Sequence, residues 1–153
     1  QLIGFRHEHP VFRRRGWFRG RPLPEGKVDD AAWFTPDGQE MSQENWSHGF
    51  AKSIQVFLNG EALTSRDARG ERILDDSFLL LVNAHHESLA FQLPDEAWGK
   101  RWLLILDTDT EAGFLAEDAV VALDPGQTLE IESRSLVLLQ RLPGRSESAA
   151  LLD

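Results

Sequence analysis

Apolar and polar residues alternate with a period of two over most of the chain beyond residue 30, the pattern of strands with one buried face. Ala31-Ala32-Trp33-Phe34-Thr35 opens the series and is closed by Pro36-Asp37-Gly38, where proline presets a turn φ and glycine tolerates a positive one. Ile54, Val56 and Leu58 alternate with Gln55, Phe57 and Asn59, and Asn59-Gly60 is a strong hairpin-turn dipeptide. Phe78 to Val82 is a continuous apolar run, long enough for a strand buried on both faces and too short for a core helix. Leu89, Phe91 and Leu93 alternate with Ala90 and Gln92 until Pro94. Further strands are expected at Trp102 to Leu106, Leu129 to Ile131 and Leu136 to Leu139. About seven to eight short strands with turn signals between them predict an all-β fold, an antiparallel β-sandwich of Greek-key type.

Other segments break the alternation. Leu2, Ile3 and Phe5 ahead of His9-Pro10 read as the last turns of a helix stopped by proline. Val11 to Lys27 is rich in Arg, Gly and Pro and reads as an extended connection. Ser42 to Trp46 suits one helical turn with Ser42 as N-cap. Thr64 to Asp76 is a polar stretch expected as an exposed loop, and GRSESAALLD reads as a frayed tail.

At 153 residues, 41% apolar and 27% charged, the chain has the composition of one globular domain. A net charge of −9 argues against nucleic acid and anionic membrane as partners, because both require basic surface. That charge is uneven. Residues 1–27 hold seven Lys/Arg against two Asp/Glu, net +5, and the remainder holds nine against 23, net −14. The short basic block suits docking onto acidic surface within a parent protein better than a nucleic-acid arm. Absence of cysteine removes disulfides and thiolate metal sites and is compatible with a reducing cytosol, so a soluble cytoplasmic protein is expected. Met41 is the single methionine, and the opening QLIGFRHEH reads as if it began within an element, which suggests a fragment.

His85-His86-Glu87 has the residue types for zinc or for acid/base chemistry. In a strand, however, adjacent side chains point to opposite faces, so the expected reading is the turn of a hairpin between Phe78 and Leu93, with no metal. Asp107, Asp109 and Glu111 in LDTDTEAGF are spaced as in a calcium loop, but positions six and twelve are Ala112 and Asp118 where Gly and Glu are needed; a solvated strand end is expected. Asp29-Asp30 and Asp75-Asp76 are adjacent pairs and give no reason to expect two facing carboxyls. GxSxG, P-loop and GxGxxG motifs are absent, so no catalytic residue and no cofactor is assigned. Five tryptophans occur without a tyrosine. Indole rings anchor cores and interfaces, and they also stack on sugars. Trp17, Trp33 and Trp46 lie near turn signals and are the surface candidates for contact with a sugar or with a neighbouring domain.

Several strings act together: LIGFRHEHPVFRRRGWFRGRP, AAWFTPDGQEMSQENW, SIQVFLNG, DDSFLLLVNAHHESLAFQLP and WLLILDT. In this order they closely resemble the C-terminal part of bacterial glycogen debranching enzymes, isoamylase-type members of the α-amylase superfamily. The resemblance implies a parent enzyme that hydrolyses α-1,6 branch linkages in glycogen or limit dextrin by a retaining mechanism, with an aspartate nucleophile and a glutamate acid/base on a (β/α)₈ barrel. A barrel needs about 250 residues, so it would lie upstream of Gln1 and the family's catalytic roles transfer to no residue here.

On this resemblance, residues 1–41 would be the end of the barrel and its connection, and 42–153 a C-terminal β-sandwich. The expected function is a non-catalytic domain that stabilises its own upstream barrel and contributes to glucan access. The alternative is an independent α-glucan-binding module; a stand-alone acidic enzyme lacks any motif. Ile3, Phe5, Val11 and Phe12 would be apolar surface without its partner, and such surface associates. The isolated chain is therefore expected to self-associate through residues 1–20, and a monomer in sedimentation at tens of micromolar would contradict this.

Overall fold

Among the described residues, eight strands and two short α-helices form in the order α1 (Leu2–Glu8), β1 (Ala31–Phe34), α2 (Gln43–Ser47), β2 (Ser53–Leu58), β3 (Phe78–Asn83), β4 (Leu89–Gln92), β5 (Trp102–Asp107), β6 (Ala122–Leu123), β7 (Thr128–Ile131) and β8 (Ser135–Arg141). The structure is a computed structural model that describes residues 1–14, 16, 18, 28–47, 52–116, 119 and 121–142. The strands make two antiparallel sheets, one of six strands in the order β1-β2-β3-β8-β5-β6 and one of two, β4-β7. The all-β, sandwich-like expectation is borne out. Two compact units divide the chain: residues 1–32 with 57–78, and residues 33–56 with 79–153.

In the first unit, the helix expected before His9-Pro10 is α1, and Pro10–Arg13 continues as a 3₁₀ turn where an extended connection was expected. Proline at the first position suits such a turn, since its fixed φ matches and its missing N–H costs no bond there. Val11 is buried, contrary to the expectation that it is exposed. Phe5 and Phe12 are half-buried against Phe78, at ring centroid distances of 5.6 and 4.8 Å. Among the described residues of this segment, the exposed apolar side chains are Leu2 and Ile3. Arg15, Trp17 and residues 19–27 of the basic connection lie outside the described residues.

Asn59-Gly60 does not make the expected hairpin turn. Asn59 caps a 3₁₀ turn, Gly60–Ala62, by accepting from the Glu61 N–H at 3.0 Å, while its Nδ2 donates to the carbonyls of Asp29 and Val28. Gly60 is needed for close approach: a Cβ there would lie 2.0 Å from the Asp76 carbonyl oxygen and 2.3 Å from that of Asp75. The polar stretch that follows is largely exposed, with a small turn at Asp67–Gly70 closed by a bridge between Arg66 and Arg72.

The second unit holds most of the strand core, including Phe34, Leu79, Leu81, Phe91, Leu93, Trp102, Ile131 and Leu139. Pro36-Asp37-Gly38 turns as expected, with Gly38 at φ +78° donating its N–H to the Thr35 carbonyl at 3.0 Å. β2 alternates as expected, but its deeply buried positions are Gln55 and Phe57, and Ile54, Val56 and Leu58 are half-buried. The reason is polar: the Gln55 amide donates to the carbonyls of Thr35 at 2.9 Å and Gln92 at 2.8 Å, which satisfies backbone groups that burial would otherwise penalise. β4 does not pair with β3 as a hairpin. It pairs with β7, Leu89 opposite Ile131, so the turn after β3 carries the chain from one sheet to the other. β5 pairs with β8 through a bulge between Leu104 and Leu106, and with the two-residue β6, a strand too short for any periodicity to announce. The expected tail, Gly144 to Asp153, lies outside the described residues.

Asn83, the last residue of β3, is buried and organises that sheet change. Its Nδ2 donates to the carbonyls of Glu87 (2.9 Å), Ile131 (3.1 Å) and Glu132 (3.0 Å), and its Oδ1 accepts from Ser53 Oγ (3.1 Å) and the His85 N–H (3.0 Å). Replacing it leaves the buried Ile131 carbonyl unpaired, at about 1–3 kcal/mol, and removes the bonds to the part-buried Glu87 and Glu132 carbonyls. Asn83→Ala is expected to lower the unfolding free energy by about 2–4 kcal/mol in urea denaturation. Asn83→Asp, which cannot donate when ionised, should cost at least as much at neutral pH; a loss under about 1 kcal/mol for both would contradict the assignment.

Candidate functional site

Of the three tryptophans singled out from the sequence, Trp17 lies outside the described residues, and the fold brings the other two together. The Met41 N–H donates to the Trp33 carbonyl at 2.8 Å, closing residues 34–40 into a loop in which Phe34 bridges Glu40. Helix α2 begins at once, capped by Ser42 Oγ accepting from the Asn45 N–H at 3.2 Å while Asn45 Oδ1 accepts from the Ser42 N–H and hydroxyl. One turn of helix then carries Trp46 over Trp33. The indoles meet edge to face, centroids 6.1 Å apart at 70°. Trp33 is half-buried and Trp46 is 56% exposed. This bent aromatic surface is part-exposed at Trp46, and Gln43 and Glu44 on the same short helix are exposed. That is a chemistry suited to stacking against the apolar face of a sugar. Sequence spacing alone could not pair residues 33 and 46, because the pairing depends on the closure of the intervening loop. The other described tryptophans serve packing: Trp102 is fully buried on β5, and Trp98 packs edge to face on Phe34 at 4.9 Å.

Two groups of potential metal-ligating side chains occur among the described residues: His9 with Asp75 and Asp76, and His85 with His86 and Glu87. The first is organised as an internal lock. His9 Nδ1 lies 2.8 Å from Asp75 Oδ1, the Val11 N–H donates to Asp75 Oδ2 at 2.8 Å, and the His9 ring packs edge to face on Phe78 at 4.8 Å. Both Asp75 oxygens are thereby committed to fixing the segment after α1. No local pattern announces this pairing, since the partners are 66 residues apart and Asp75 stands in an otherwise exposed loop.

The second group sits on the bend between β3 and β4, and its rings stack with centroids 4.2 Å apart. LDTDTEAGF is a solvated turn at the end of β5: Asp107 Oδ1 accepts from the Asp109 N–H, and Leu106 bridges Phe114. No helix of the described residues is long and apolar enough to cross a membrane.

An all-β domain of the sandwich type is the class that these sheets define. Within that class, residues 30–141 match the family described as "Isoamylase, C-terminal", and the chain belongs to it. It is 45% identical over 137 residues to the glycogen operon protein GlgX homologs of Mycobacterium bovis and Mycobacterium tuberculosis, covering 89% of this chain and 18% of each relative. It is 26% identical over 108 residues to the isoamylase of Pseudomonas amyloderamosa, covering 71% of this chain and 12% of that protein. The chain thus spans less than a fifth of the length of these relatives, and the resemblance read from its motif strings is borne out.

The lock formed by Asp75 gives a direct test of how the N-terminal segment is held. Asp75→Ala should destabilise the chain by about 1–3 kcal/mol and open residues 9–13 to limited proteolysis. Unchanged stability and an unchanged cleavage pattern would contradict the role.

Proposed function

We propose that this chain is the non-catalytic C-terminal β-sandwich domain of a cytoplasmic glycogen debranching enzyme that hydrolyses α-1,6-glucosidic branch linkages in glycogen or limit dextrin. One observation supports this most: an 89% coverage at 45% identity that occupies only 18% of a glycogen operon protein. Its principal partner is then its own upstream (β/α)₈ barrel, which it stabilises. Residues 1–41 belong in this reading to the end of the barrel and its connection, and 42–153 to the sandwich. The lock at Asp75 supports a structural role for the segment entering the domain, since it fixes the chain immediately after α1. Leu2 and Ile3, exposed on α1, support association of the isolated chain through residues 1–20.

A second reading, an independent α-glucan-binding module, is favoured by the Trp33–Trp46 pair. Titration with maltoheptaose under tryptophan fluorescence separates the two. Saturable binding at millimolar concentration or tighter, lost in Trp46→Ala, supports the module; no change supports a purely structural domain. In either case the purified chain should release no linear chains from glycogen, and their release would overturn the non-catalytic assignment.

A further inference from the structure

The His85-His86-Glu87 turn is a motif that neither functional reading uses. Alternation along a strand would separate its side chains, but these residues are not in a strand. β3 ends at Asn83 and β4 begins at Leu89, and the three residues occupy the bend between them. There they converge: one potential ligand atom from each lies within 4.8 Å of the others. Glu87 Oε2 is 3.8 Å from His85 Nδ1. Two ligands bound to one ion at metal–ligand distances of about 2.0–2.2 Å lie roughly 3–3.5 Å apart, so small side-chain rotations close the set. All three residues have the freedom to make them, since His86 and Glu87 are exposed and His85 is half-exposed.

The backbone beneath them is held. Asn83 accepts from the His85 N–H and donates to the Glu87 carbonyl, so one buried amide grips both ends of the triplet. The Arg134 N–H donates to the His85 carbonyl at 3.0 Å, and Ser88 Oγ donates to Glu132 Oε2 at 2.7 Å. Arg134 adopts φ 53° to make its contact. At His85, Nδ1 accepts only a long bond, 3.2 Å from the Glu87 N–H, which a cation would replace at the same lone pair.

We infer that His85, His86 and Glu87 form a surface site for a borderline divalent transition ion, bound through one nitrogen of each imidazole and one carboxylate oxygen. Two imidazoles with one carboxylate select zinc-like ions over magnesium or calcium, which take oxygen ligands. The remaining coordination positions face solvent and are filled by water. Exposure and the short span of the ligands set the affinity in the micromolar range, well below that of an enclosed structural site. The inference stands on this turn alone and is independent of the glycogen reading.

The test is a Zn²⁺ titration of the untagged chain after EDTA dialysis, read by calorimetry and by the histidine Cε1–H signals in NMR. One equivalent should bind with micromolar affinity and shift His85 and His86, while Mg²⁺ at millimolar concentration shifts neither. His86→Ala and Glu87→Gln, surface changes whose folding is checked by circular dichroism, should each weaken binding about tenfold or more. His9→Gln, which removes the imidazole of the competing group, should leave it unchanged. The site is overturned by His85 and His86 signals that stay still at millimolar Zn²⁺, by either turn variant binding as tightly as the parent, or by loss of binding in His9→Gln.

Discussion

Asn83 is the constraint on which the second unit of this domain depends. A strand buried on both faces must leave its sheet somewhere, and when it does its backbone groups lose their ladder partners. At the end of β3 a single carboxamide supplies the substitutes. Its two N–H hydrogens serve three carbonyls and its oxygen serves the Ser53 hydroxyl and the His85 N–H. The chain can therefore pass from the six-stranded sheet to β4, in the two-stranded one, with these polar groups paired. Gln55 does the same on β2, bonding the carbonyls of Thr35 and Gln92, and in the first unit Asn59 bonds those of Val28 and Asp29. Buried amides, rather than longer strands, make these short irregular segments cohere.

The features with chemistry follow from this economy of short strands. Connections are numerous, and each one that is fixed by side-chain bonding can present residues in a defined arrangement. Closure of the 34–40 loop sets Trp46 over Trp33, and the bond from Asn83 sets His85 beside Glu87. In the first unit the same logic works through a carboxylate, with Asp75 holding His9 and Val11. A domain of the isoamylase C-terminal family thus carries surface constellations that its own scaffold organises.

Period-two alternation in β2, β4 and β7, and short continuous apolar runs in β1, β3, β5 and β8, made these strands legible in the sequence, because burial leaves its mark on every second residue or on all of them. Proline and glycine marked the turn at Gly38. The two-residue β6 leaves no such mark. What alternation could not supply was partnership and facing. Phe78 to Leu93 reads as two strands around a turn whether they pair with each other or, as here, enter different sheets. Gln55 reads as an outward polar residue, and its burial depends on two carbonyls supplied by distant segments. Asn59-Gly60 has the local chemistry of a hairpin turn, yet glycine is required there by the approach of the Asp75 and Asp76 carbonyls. The histidine pair shows the same limit most clearly, because alternation separates adjacent side chains only while the residues lie in a strand.

One buried amide, that of Asn83, fixes an exposed turn, and amide hydrogen exchange reads this directly. Exposed turn amides ordinarily exchange at the rate of unstructured peptide. The His85 and Arg134 N–H groups, bonded to Asn83 Oδ1 and the His85 carbonyl, are predicted to exchange as slowly as the amides of β3 beneath them. Exchange of both at unprotected rates while β3 stays protected would show that Asn83 does not hold the turn.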